Sequence, residues 1–323
     1  MRLKKIVYCE IIFKILVMRI IYFLALATVV LSCTNKQDEM PSFEPPVQNE
    51  LVITLQNFND SIISTKPVTR SRWLRFLAVA TADISGGFEM GKIGATLGSS
   101  FPGYGTVVGG AIGAAIGAAG ASYMADLATR ISISSSDITS SKASIQQAYC
   151  YVKENNLIDE YSTETIDIIL PPEYETSIEV GIAHNAILKT MASPPGDDNW
   201  GTTQTFTSVE NAVLNSEDYI ENYEAVLSKV INRDADKPSY VSGTGVDSEI
   251  MNLFIEVFHQ YSEDIDDVNF IVNKYIEKIE ASGILTELEK KNVYDALTVA
   301  VFSFYHWSSL EEETESQYEQ GIN

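Results

Sequence analysis

The chain of 323 residues is long enough for one large or two modest domains, and with 45% hydrophobic and 20% charged residues it can bury a substantial core. Its formal net charge is −22, but the first 32 residues hold five basic side chains and one acidic side chain, which leaves 17 basic and 43 acidic residues, or −26, in the rest. That balance argues against binding to nucleic acid or to anionic lipid headgroups, because both rely on clustered Lys and Arg.

Residues 1–32 have the pattern of a secretory signal peptide. A basic start is followed by an apolar run that ends at Ser32, and Val30-Leu-Ser-Cys33 resembles the lipobox of bacterial lipoproteins. We therefore predict cleavage before Cys33 and lipidation of its thiol. The alternative is an uncleaved membrane anchor, although the apolar run is short for a span. Translation can begin at Met1 or at Met18, and the later start gives the tidier signal peptide.

The residues that follow the predicted lipidation site indicate a tether at the cell surface. Residues 33–50 contain prolines and polar residues without apolar periodicity, as tethers between an anchor and a domain do. Within them, Lys36-Gln-Asp-Glu39 looks like the short acidic export signal of surface-displayed lipoproteins of the Bacteroidota. The predicted location is therefore the outer membrane, with a lipid-anchored protein exposed on the cell surface.

The remaining patterns are mostly helical, and we predict a mainly α fold: a helical bundle with an N-terminal glycine-zipper hairpin and at most one or two short strands. Leu51-Val-Ile-Thr-Leu55 is the candidate strand. We divide this part of the chain into a hairpin region, 51–130, a helical domain, 131–310, and an acidic tail, 311–323, that frays. The predicted helices cover residues 71–97, 105–129, 208–232, 246–281 with a break near Ser262, and 286–308. Two more are predicted between them: one that Ser134-Ser-Ser-Asp137 caps and that ends at Lys153, and one that follows Pro171-Pro172 and ends at Met191.

Glycine recurs at every fourth residue in the second predicted helix. Residues four apart share one helix face, so this spacing makes a groove without side chains, on which another helix can lie very close. Each helical glycine costs about 1 kcal/mol relative to alanine, and close packing is what offsets that cost. The predicted packing residues are Gly105, Gly109, Gly113 and Gly117 in the second helix and Gly87, Gly91 and Ala95 in the first.

Two interpretations of the hairpin stay open in the sequence. A buried core element suits the first helix, where Asp83, Glu89 and Lys92 are unsuited to lipid. A membrane-inserting element suits the second, because 93–125 contains no charged residue and 106–125 is long enough to span a bilayer. Small residues at four-residue spacing also join helices in lipid.

Besides the glycine zipper, three stretches of the sequence are distinctive. They are Trp73-Leu-Arg-Phe-Leu-Ala-Val-Ala-Thr-Ala-Asp-Ile-Ser-Gly-Gly87, Val180-Gly-Ile-Ala-His-Asn185 and Leu297-Thr-Val-Ala-Val-Phe-Ser-Phe-Tyr-His-Trp307. Together they make the chain resemble a group of glycine-rich, glycine-zipper-containing exported lipoproteins of the Bacteroidota that have no assigned activity. The resemblance extends from Trp73 to Trp307. It implies an exported helical protein and implies no chemistry.

No pattern in the sequence predicts an active site. His184, His259 and His306 lack the spacing of metal ligands, and the chain has neither a nucleophile elbow nor a phosphate-binding loop. We expect His184 to make polar contacts with a neighbouring helix. Cys150, the one cysteine after the predicted lipidation site, is expected to be a buried structural thiol. We predict no metal, no cofactor and no enzymatic activity.

The sequence favours a non-enzymatic surface lipoprotein that works by protein association. Its competitor is a membrane-active, bacteriocin-like factor whose zipper hairpin inserts or forms a pore, and a hydrolase ranks third. The expected partners are the membrane, through the lipid anchor, and either a protein partner or a second copy of the chain through the zipper. Nucleic acid is not expected. The two leading classes differ in whether the glycine face leaves its own chain.

Overall fold

The structure is a computed structural model that describes residues 49–65, 74–160, 166–196, 206–232 and 238–321. The predicted signal peptide, the lipidation site Cys33 and nearly all of the tether lie outside the described residues. These ranges contain helices and no strand, so the mainly α fold is confirmed. The helices are α1 (Glu50–Ile63), α2 (Leu74–Gly98), α3 (Gly105–Ala128), α4 (Ser135–Glu154), α5 (Leu157–Glu160), α6 (Ser177–Ala192), α7 (Ser208–Leu214), α8 (Glu217–Ile231), α9 (Val246–Tyr261), α10 (Ile265–Ser282) and α11 (Glu287–Gly321), with a short 3-10 helix at Pro172–Tyr174.

The strand expected at Leu51 to Leu55 is wrong, because these residues belong to α1. Their β-branched side chains favour a strand locally. However, the Asn49 side chain caps a helix by accepting a hydrogen bond from the Leu51 N–H. The buried residues Leu51, Val52, Leu55 and Asn59 share one helical face, which packs against α9 and α10. Tertiary packing therefore decides the conformation of this segment.

The ends of the helices are set by capping residues more than by the apolar pattern of the sequence. The predicted helix 208–232 is divided at Asn215, because the Ser216 hydroxyl accepts a hydrogen bond from the Tyr219 N–H and starts α8. The break expected near Ser262 is confirmed between α9 and α10. The last helix runs beyond the predicted end at residue 308 to Gly321, through most of the acidic segment expected to fray.

The hairpin of α2 and α3 is packed by other helices of the same chain. One apolar cluster is formed by α1, α2, α9, α10 and α11, and a second is formed mainly by α3, α4, α6, α7 and α8. In α11, Val299 lies against Gly87 of α2, and in α8 the Tyr223 ring lies on Gly120 of α3. The described residues from 49 onward form one compact unit, so the hairpin shares its core with the helices that follow.

Candidate functional site

The closest contact within the hairpin is made by the two backbones. A Cβ atom added at Gly109 would lie 2.3 Å from the carbonyl oxygen of Gly94, and one added at Gly113 would lie 2.3 Å from that of Met90. No side chain fits at such distances, so α2 and α3 meet nearly backbone to backbone. The α3 positions on this line are Gly105, Gly109, Gly113 and Gly117, and the α2 positions opposite them are Gly98, Gly94, Met90 and Gly86.

The α2 line that makes this contact is displaced by one residue from the one expected. Gly87, Gly91 and Ala95 form a second line beside it, at wider spacing: a Cβ added at Gly91 would lie 3.3 Å from the nearest side-chain atom of α3. The line that makes the close contact is hard to see in the sequence, because Met90 interrupts its series of small residues. Its unbranched side chain is flexible enough to lie over Gly117.

Helix α3 is long and apolar enough to cross a bilayer, and it is the one helix of the described ranges that meets both criteria. In the structure, however, 78% of its most apolar window is buried by protein. Besides α2, its neighbours include α4, α6, α7 and α8. In this conformation α3 is therefore a central helix of the protein core, and its apolar composition is explained by that burial.

A cluster of polar side chains joins the hairpin to α6 and α11. The Asp83 Oδ2 atom accepts hydrogen bonds from the Ser303 hydroxyl and from Trp307 Nε1, the latter at 3.2 Å. Trp307 Nε1 also lies 3.1 Å from the Ser122 hydroxyl oxygen. His184 Nε2 lies 3.4 Å from Asp83 Oδ2. All of these residues except Trp307 are completely buried, and we refer to the five as the Asp83 cluster.

His184 and its neighbour Asn185 connect α6 to both partner helices. Asn185 Nδ2 donates a hydrogen bond to the Phe302 carbonyl oxygen at 3.0 Å, so its Oδ1 accepts from His184 Nδ1 at 2.9 Å. On the other side of the ring, Nε2 lies 3.4 Å from the Asp83 carboxylate oxygen of α2. The hydrogen bond to a neighbouring helix is thus made by Asn185, whereas His184 bonds to Asn185 within α6.

The Asp83 cluster contains the residue types of a hydrolase triad in a different arrangement. In a triad the serine hydroxyl bonds to the imidazole, whereas here Ser303 donates to Asp83. Both side chains are fully buried. Hydrogen bonds to one enclosed carboxylate instead fix the hairpin relative to α6 and α11. The sequence did not reveal the cluster, because its members are far apart in the chain; the available signal was one carboxylate, Asp83, inside an apolar stretch.

A small surface groove of about 110 Å³ lies between α2, α8 and residues 238–240. Its charged groups satisfy one another, since Lys229 Nζ lies 3.1 Å from a Glu89 carboxylate oxygen and also donates to the Ser242 hydroxyl. The Ser242 N–H donates to the same carboxylate. The groove is well below the usual size of a pocket for an organic ligand.

The buried His306 makes the stability of the fold sensitive to acid. Burial, together with His184 and Lys189, lowers the pKa of His306 to about 3, whereas its pKa in the unfolded chain is about 6.5. Above pH 6.5 both states are neutral and the full stability is present. Below it only the unfolded state gains the proton, so stability falls by about 1.4 kcal/mol per pH unit until pH 3 is approached.

We therefore expect the wild type to lose about 2 kcal/mol of unfolding free energy through His306 between pH 6.5 and pH 5. The variant His306→Gln should lack this part of the loss. Urea denaturation of both proteins at the two pH values measures the difference. Equal losses in the two proteins would show that His306 titrates alike in the folded and unfolded states.

Cys150 and the other residue types that bind metals form no metal site in the part of the chain that the structure describes. Cys150 is a buried free thiol, as predicted, and burial raises its pKa to about 11. Across the described ranges, no group of three or more His, Cys, Asp or Glu side chains is placed to hold a metal ion. No known protein family, curated protein or solved structure matches the chain.

Proposed function

We propose that this chain is a lipid-anchored protein of the bacterial cell surface that works by associating with other proteins, without a catalytic step. The anchor is supported by Val30-Leu-Ser-Cys33 and by the acidic segment Lys36-Gln-Asp-Glu39 that follows it. The strongly acidic remainder suits a soluble exported domain joined to its lipid anchor by a tether.

The burial of the Asp83 cluster is the main observation in favour of a role in protein association without catalysis. The residues best suited to acid–base chemistry hold α2, α6 and α11 together, away from solvent. The zipper adds a backbone-to-backbone contact in the same core. A domain fastened at its centre in these two ways is suited to presenting a fixed outer surface to a partner.

The anchor and the association are tested in the same cells. Metabolic labelling with a fatty acid should mark the wild type and Cys9→Ser, but not Cys33→Ser, because only Cys33 follows the lipobox pattern. A membrane-impermeant cross-linker applied to intact cells should then give a discrete cross-linked species with the wild type. Fatty-acid labelling of Cys33→Ser would refute lipidation at Cys33. Absence of a cross-linked species on intact cells would count against association at the cell surface.

A membrane-active factor is the second candidate, favoured by one observation: the central hairpin contains a helix of bilayer-spanning length that other helices cover. Insertion would require the hairpin to leave α11, where Gly87 faces Val299: a Cβ added at Gly87 would lie 3.6 Å from Val299 Cγ2. A disulfide between Gly87→Cys and Val299→Cys is therefore expected to hold the hairpin in place. Dye release from vesicles that stops on oxidation and returns on reduction would favour insertion, whereas the association proposal predicts no release in either state.

A further inference from the structure

The turn of the hairpin exposes apolar side chains. Tyr104 is 83% exposed, more than any other large hydrophobic residue of the described ranges, and Val107, one helical turn later, is 44% exposed. Phe101 is half-buried, with its Cβ against Gly105. Because α2 and α3 lie so close together, this turn is narrow and held in place by the zipper beneath it. We call Phe101–Tyr104 together with Val107 the hairpin tip.

The hairpin tip differs in charge from the other exposed apolar positions. It lies within the segment from residue 93 to residue 125, which contains no Asp, Glu, Lys or Arg in a chain of net charge −22. Except for Tyr305, the other exposed large hydrophobic side chains of the described ranges have a charged residue within three positions in the chain. Examples are Ile53, Ile131, Ile169, Phe270 and Leu288.

A lipid bilayer fits this combination better than a protein groove does. An acidic domain is repelled by anionic headgroups, so it approaches a bilayer most easily through a segment that carries no charge. Tyrosine is favoured at the membrane interface, because its ring is apolar and its hydroxyl stays hydrated. Burying Val107 and Tyr104 at headgroup depth would desolvate no ionised group of the tip.

The geometry of the tether allows this contact, and this step rests on the lipid anchor proposed above. The chain from Cys33 to Asn49 can extend to about 55 Å, whereas α3 is about 36 Å long. A domain held at Cys33 therefore has enough tether to turn the tip toward the bilayer. The anchor also keeps the tip at a high local concentration near lipid, so that a weak contact is sufficient.

We propose that the hairpin tip is a peripheral docking surface for the lipid bilayer. Tyr104 and Val107 enter the headgroup region while α2 and α3 remain folded in the bundle. This differs from insertion of the hairpin, because the zipper contact and the Asp83 cluster stay intact.

Environment-sensitive fluorescence at the tip tests the proposal. An NBD group is attached at Tyr104→Cys, and the control label is attached at Thr129→Cys, an exposed site just after the other end of α3. Cys150 is buried and does not compete for the label. In lipidated protein on phosphatidylcholine vesicles, we expect a several-fold rise of fluorescence at position 104 and none at position 129. Equal signals at the two positions would overturn the proposal.

Vesicle binding by protein that lacks the lipid anchor distinguishes the contribution of the hairpin tip from that of the anchor. The chain from residue 33 onward, carrying Cys33→Ser, should bind phosphatidylcholine vesicles weakly, and Tyr104→Ser with Val107→Ser should reduce that binding by about tenfold. Ile131→Ser, which removes a 55% exposed apolar residue near the other end of α3, is the matched control and should have no effect. Residual tip-dependent binding would support the proposal even if fatty-acid labelling at Cys33 failed.

Two other results would overturn it. Dye release that accompanies binding would mean that the whole hairpin inserts. Protection of position 104 only in the presence of another protein, with no response to vesicles, would assign the tip to a protein partner.

Discussion

We expect Gly94→Ala to lower the free energy of unfolding by about 3 kcal/mol, although alanine is the better helix former by about 1 kcal/mol. A Cβ at this position would lie 2.1 Å from the carbonyl oxygen of Gly109 and 2.9 Å from its carbonyl carbon. Neither atom belongs to a flexible side chain, so α2 and α3 must separate to admit the methyl group. Urea denaturation of the wild type and the variant measures the loss.

Gly87→Ala is the matched control, because it makes the same change in the same helix. The atoms nearest to a Cβ at Gly87 are 3.4 Å away, which is ordinary contact. The higher helix propensity of alanine is then the main effect, and we expect the free energy of unfolding to stay unchanged or to rise by up to about 1 kcal/mol. If Gly94→Ala were as stable as Gly87→Ala, the backbone contact between α2 and α3 would be absent.

The second large effect is expected at the Asp83 cluster, where Asp83→Ala should cost about 3 to 5 kcal/mol. The substitution removes the acceptor of the Ser303 hydroxyl and the carboxylate that lies beside His184 Nε2. The side chains of Ser303 and His184 are both fully buried. Trp307 keeps one partner, the Ser122 hydroxyl. Thermal and urea unfolding report the loss, and the double variant Asp83→Ala with Ser303→Ala should lose less than the sum of the two single changes.

Asp126→Ala supplies the comparison at the surface. Asp126 pairs with Arg130 at 2.8 Å, and the Arg130 side chain is 62% exposed, so solvent screens the pair. We expect its removal to change stability by no more than about 0.5 kcal/mol. A similar effect of the two Asp→Ala changes would mean that the Asp83 cluster does not hold the hairpin to α6 and α11.

Apolar periodicity located the long helices well, because their buried faces repeat at the helical period over several turns. Helix α3 is buried on nearly all sides, and the glycine at every fourth residue identified it instead: it spans Gly105–Ala128, where residues 105–129 were predicted. Short segments were harder. The run Leu51 to Leu55 contains too few turns to show its period, and only the cap at Asn49 and the packing of Leu55 and Asn59 identify it as helix.

The partners of the hairpin could be predicted only in part. The glycine spacing of α3 is visible in the sequence, but the α2 line opposite includes Met90, whose side chain lies over Gly117. The Asp83 cluster depends on contacts between residues more than 100 positions apart, such as His184 with Asp83 and Ser303 with Asp83. No local pattern contains that information, since it arises from the way in which α6 and α11 pack on the hairpin.

Disulfide formation between Gly91→Cys and Ala114→Cys tests the close packing of α2 and α3 most directly. The Cβ positions of these residues are 3.3 Å apart, close to the separation found in disulfides. We predict nearly complete cross-linking of the folded protein on mild oxidation and a gain of about 3 kcal/mol in stability. Gly87→Cys with Gly110→Cys is the control, because Gly87 faces Ala118 and Gly110 lies about 12 Å further along α3. Free thiols in the first pair, or equal cross-linking of both pairs, would contradict the packing.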